Sequence, residues 1–122
     1  MYLKKFDPMK TILQQLKVTF PEVYPKILSN DRYAAYAVLH LFGEYCAQHF
    51  ENDKTKEILN TINSLYQRKS HFVCNAIENE FFFEMASQLK ISELNKHFQI
   101  IPENLWALYI KVLIEIQKNN QQ

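Results

Sequence analysis

Three glutamates, Glu78, Glu80 and Glu84, fall within seven residues of one strongly apolar stretch. On a helix Glu80 and Glu84 are four apart and share a face, which is mildly destabilising while both are ionised. Carboxylates in that relation can serve as metal ligands or as an acid/base pair. They can equally stand at a solvated rim or pair with a lysine, the commoner fate of a glutamate. His40 and Glu44, also four apart, would add an imidazole and another carboxylate from a second helix, with Gln48 one turn further on. The di-metal signature, a Glu-x-x-His on each of two helices, is not in the sequence. His49 falls off the His40 stripe, and His71 and His97 stand alone. The spacing therefore predicts no resident metal and no other cofactor.

Nucleophilic catalysis has less support. The chain has no Gly-x-Ser-x-Gly elbow, no glycine-rich phosphate loop, and no Cys next to a His in a glycine-rich turn. Gly43 is its single glycine and cannot build a phosphate cradle alone. No catalytic residue is assigned. Cys46 and Cys74 both fall on apolar sides of predicted helices and read as buried, reduced thiols.

The element that must position the glutamates runs from Ser70 to Leu89. At 100° per residue, Val73, Ile77, Phe81 and Met85 form one side, Phe72, Ala76 and Phe83 another, and Phe82 and Leu89 fill much of the rest. A helix apolar nearly all round belongs at the centre of a fold. Its polar residues then need partners. Asn75 and Asn79, four apart, form a candidate structural pair whose amides, if buried, would satisfy free groups at the end of a neighbouring helix. Phe81, Phe82 and Phe83 cannot all face one way, so at least one of them looks away from the main core, covered by another helix or exposed as an anchor for a partner.

Around that stretch the pattern is helical throughout. Asp7-Pro8 is a cap followed by proline at the first helical position, and Ile12, Leu13, Leu16 and Phe20 keep the period until Pro21. A short, distorted second helix is expected from Pro21, since Pro25 removes a backbone donor. Ser29-Asn30-Asp31 caps a long third helix to about Phe50. Its apolar side carries Ala34, Ala35, Val38, Leu39, Leu41, Phe42, Tyr45 and Cys46, opposite the Tyr33, Ala37, His40, Glu44 and Gln48 stripe. Mid-helix Gly43 costs about 1 kcal/mol against alanine, so a close helix–helix approach near Ala47 is expected to offset it. Ile58, Leu59, Ile62, Leu65 and Tyr66 give an amphipathic fourth helix, and a turn is placed at Arg68 to Ser70. Ile91-Ser92 starts a short helix with Leu94 and Phe98, and Pro102 opens the last, through Leu105, Trp106, Tyr109, Val112, Leu113 and Ile116. Residues 1–6 and 119–122 should fray. Phe20-Pro21-Glu22 and Ile101-Pro102-Glu103 are alike only because proline and glutamate both suit a helix's first turn.

With 122 residues, 48% apolar and 14% aromatic content, the chain reads as one packed domain. A single glycine and no Asn-Gly or Asp-Gly turn exclude an all-β fold. The expected architecture is all-α, an irregular antiparallel bundle or short helical superhelix of six to seven helices. The net charge of +1, from 14 basic and 13 acidic residues of which only Arg32 and Arg68 are arginine, argues against nucleic acid as a partner. No apolar run reaches membrane-spanning length and no signal-peptide core follows the first residues, so a soluble cytoplasmic protein is expected.

The run Asn75-Ala76-Ile77-Glu78-Asn79-Glu80-Phe81, followed by Phe82, Phe83 and Glu84, resembles the central motif of small all-helical bacterial proteins grouped as a domain of unknown function. Phe20-Pro21-Glu22 fits the same pattern. The resemblance implies a bacterial cytoplasmic protein and brings no catalytic residue. The sequence is best read as a non-enzymatic protein-interaction module of immunity or adaptor type, able to form a homodimer. Its groove is expected at Glu80, Glu84, His40 and Glu44. Two rivals are a helical enzyme or metal protein using those same carboxylates and the histidine, and a small-molecule binder with an aromatic pocket of Tyr33, Tyr36 and Trp106.

Overall fold

The computed structural model of the chain describes residues 8–26 and 32–120. Among them the protein is all-α, with no strand. α1 spans Pro8–Thr19, α2 Arg32–Gln48 and α3 Asp53–Gln67. A continuous central helix follows, made of α4 (His71–Ala76), a π-helical segment (Ile77–Phe82) and α5 (Phe83–Gln88). Short 3-10 turns at Ile91–Glu93 and Glu103–Leu105 lead into α6 (Leu94–Ile100) and α7 (Trp106–Asn120). The expected fraying at residues 1–6, the Asp7 cap and the Ser29-Asn30-Asp31 cap lie outside the described residues, as do residues 121–122. The last helix itself continues through Asn119 to Asn120.

Pro21 does not open a second helix. The Val23 and Tyr24 N–H groups both turn back to the Phe20 carbonyl, at 3.1 and 3.0 Å, and Pro25 has no N–H to carry a ladder on. The turn is fastened to α3 instead. Glu22 pairs with Lys54 at 2.7 Å, and the Lys54 ammonium lies 5.8 Å from the centre of the buried Phe20 ring.

Between α2 and α3, the buried Thr55 hydroxyl donates to the His49 carbonyl at 2.6 Å, closing the connection. The same hydroxyl is a hydrogen-bond partner of Cys46, whose thiol is buried and pushed up to about 12 by desolvation. Cys46 is therefore an inert core thiol. Cys74 departs from expectation in being only half-buried; its thiol donates to the Tyr66 carbonyl at 3.4 Å, and both cysteines are free. Just past the end of α3 stands Lys69, the one described non-glycine residue with a positive φ, 60°.

The central helix packs against α1, α2, α3 and α7, so its place in the middle of the fold is observed. Its circumference is not apolar all round, however. Phe72 is 62% and Phe83 38% exposed. Phe83 is turned outward by the π-helical segment, where the Phe83 N–H bonds the Glu78 carbonyl five residues back. Residues five apart are thereby stacked, as four apart are in an α-helix. The buried rows run Val73, Ile77, Phe82, Ala86 and Ala76, Phe81, Met85, with one step of five in each. Phe81 and Phe82 both reach the core, and the polar residues are gathered on the remaining side.

α2 lies antiparallel to this helix. Gly43 meets the main chain of Phe81, where an added Cβ would stand 3.2 Å from the Phe81 carbonyl carbon and closer still to its oxygen. The close approach expected for this glycine is thus made at Gly43 itself. Leu41, expected on the apolar side of α2, is 40% exposed.

Candidate functional site

The antiparallel α2 and α5 bring His40 opposite Glu84, with Glu44 one turn along α2 from His40. His40 Nε2 stands 3.4 Å from a Glu84 oxygen, with the His40 side chain 46% and the Glu84 side chain 19% exposed. His40, Glu44 and Glu84 each offer a ligand atom within 4.8 Å of the other two. They are the described residues that could hold a cation.

Two glutamines orient the carboxylates. Gln48 donates to Glu44 Oε1 at 3.3 Å, and Gln88 donates to Glu84 Oε1, each from four residues further along its own helix. Glu84 Oε1 is therefore occupied, while its Oε2 faces His40. Both helices are held at close range by the Gly43–Phe81 approach. Three donors are thus fixed on rigid elements and open to solvent.

Of the four residues expected at the groove, Glu80 is half-buried but does not join this cluster. Glu78 lies apart from it too, paired with Lys111 of α7 at 3.0 Å. Asn75 and Asn79 are both exposed, so the need for buried amides to find partners does not arise. Trp106 packs on Phe98 at 5.4 Å between ring centres and spends its indole N–H on the Ile101 carbonyl at 2.8 Å. It serves the fold.

Around the cluster the surface is mixed. Tyr33 (80% exposed) lies on the His40 and Glu44 stripe of α2, while the exposed Leu41 follows His40, about 100° further round that helix, and the exposed Phe83 precedes Glu84 on α5. Two features were not read from the sequence. Ile91, Ile110 and Ile114 are half-exposed and line an apolar trough with Leu94 and Leu113; the four-residue spacing of Ile110 and Ile114, outside the core stripe of α7, is its only sequence signal. His97 is fully buried, with Nδ1 2.8 Å from the Tyr109 hydroxyl and no described partner for Nε2. Its desolvation holds the imidazole pKa below the ordinary value, against a weaker upward pull from Glu93.

No described helix is long and apolar enough to cross a membrane. No curated protein and no solved structure matches the chain. One protein-family model does, over residues 13–118; its description is Domain of unknown function (DUF7674).

Proposed function

The chain belongs to this family of unknown function, and from its geometry we propose that it is a non-enzymatic protein-interaction module, a bacterial cytoplasmic protein of adaptor or immunity type. The observation that carries the reading is the composition of the α2–α5 face. Tyr33 is exposed on the α2 stripe that carries His40 and Glu44, and the exposed Leu41 and Phe83 adjoin His40 and Glu84 in sequence, beside two carboxylates gathered around a single imidazole. Exposed aromatic side chains next to fixed charges are what protein interfaces use as anchors and for orientation. The partner is a protein with a basic contact surface.

The test is to identify the partner by cross-linking in the source cells and to measure its affinity for purified Glu44→Gln, Glu84→Gln and Tyr33→Ala variants. Weakened binding at unchanged melting temperature supports the face. A partner whose affinity ignores all three substitutions removes it.

A further inference from the structure

We infer that His40, Glu44 and Glu84 form a binding site for one divalent transition cation, of which zinc is the best fit. The inference does not depend on the docking reading, since it concerns the donor set alone.

The donors are one imidazole nitrogen and two carboxylate oxygens, a set that suits zinc, manganese or iron(II) better than calcium or magnesium, which prefer oxygen alone. The spacing agrees. Zinc bonds of ~2.1 Å at tetrahedral angles place neighbouring donor atoms ~3.4 Å apart. His40 Nε2 and the Glu84 oxygen are 3.4 Å apart. The third donor lies within 4.8 Å of both, and rotation of the half-buried Glu44 side chain brings it into range. A fourth position then faces solvent, as in zinc sites with three protein ligands.

The supporting groups also match. Gln88 and Gln48 hold one oxygen of each carboxylate, as the outer ligands of metal sites do. The donors come from two helices locked together by the Gly43–Phe81 approach, beside a π-helical segment of the kind that often marks functional positions. His40 and Glu44 supply an i, i+4 ligand pair, and Glu84 comes from across the groove. This is why no ligand motif is visible in either helix alone.

The experiment uses the full chain purified without a histidine tag and stripped with a chelator. Zinc chloride, and separately manganese chloride, is titrated in by calorimetry, with the melting temperature recorded alongside. The expected result is one equivalent of zinc bound and a raised melting temperature. His40→Gln, Glu44→Gln and Glu84→Gln should each weaken binding at least about tenfold, while Glu80→Gln leaves it unchanged. Mn2+ should broaden the His40 ring signals before those of His49, His71 and His97, a readout on the wild-type chain that needs no variant to fold. Absence of saturable zinc binding overturns the site. So does binding that survives in two or more of the three triad variants, or broadening that begins at another histidine.

Discussion

Gly43 of α2 and Phe81 of the central helix touch through their main chains, with no room for a Cβ between them. The contact is to a carbonyl group, which cannot swing aside as a side chain would. It sets how closely α2 and the central helix lie, and so places His40 and Glu84 across from one another.

Gly43→Ala should therefore destabilise the protein, although alanine is the better helix former by about 1 kcal/mol. The overpacking cost is ~1–3 kcal/mol or more, and it should exceed the propensity gain. Urea unfolding measures the difference. A stability equal to or above wild type would mean that the helices separate without cost.

At Lys69 the opposite sign is expected. Its φ of 60° places an ordinary side chain in the left-handed region just past the α3 C-terminus, the position where glycine usually stands. The left-handed conformation costs a non-glycine residue about 1–2 kcal/mol, part of which is offset by glycine's larger chain entropy. Lys69→Gly should raise stability by about 0.5–1 kcal/mol. A lower melting temperature for the variant would contradict this account of the turn.

The all-α class, the central place of residues 70 to 89 and the helix ends at Pro21 and Arg68 were legible because proline, capping residues and apolar period act locally. The phase of the central helix was not legible in the same way. A fixed 100° step grouped Phe72 and Phe83 with Ala76 and put apolar residues all round. The structure inserts one step of five at Ile77–Phe82, which turns Phe83 outward and Phe82 inward. Glu84 could be matched with the His40 and Glu44 stripe from sequence, but whether Glu80 joins them depended on that same phase. The Pro21 turn was missed because its stabilising partner, Lys54, is distant in sequence.

His97 gives a pH prediction. Its imidazole is held neutral by burial, with its folded pKa below the ordinary value of about 6.5. The neighbouring titratable groups are Tyr109, itself shifted upward by burial, and Glu93. Below about pH 6.5 the unfolded chain takes up a proton that the folded chain resists. The stabilising contribution is thus complete above that pH and is lost as pH falls through the folded value. The denaturation midpoint should drop between pH 7 and pH 5, and less so in His97→Phe. Equal slopes in the two proteins would exclude His97 as the source.

The last prediction tests the π-helical segment through the three consecutive phenylalanines. In an uninterrupted α-helix Phe82 would lie about half a turn from Val73, facing away from it, since nine residues at about 3.6 per turn make about two and a half turns. In the structure both Phe81 and Phe82 are fully buried, their rings 5.0 Å apart in edge contact, while Phe83 is 38% exposed. Phe81→Ala and Phe82→Ala should then each cost about 3–5 kcal/mol, as large cavities do. Phe83→Ala should cost less than about 1 kcal/mol, the range of a surface change. The informative member is Phe82, since a regular helix and the observed one disagree most about it. A loss at Phe82 no larger than that at Phe83 would show that the helix keeps its ordinary period in solution. The Glu84 side chain would then be rotated away from His40, and the cation site would lose its Glu84 donor along with the helix phase that supplies it.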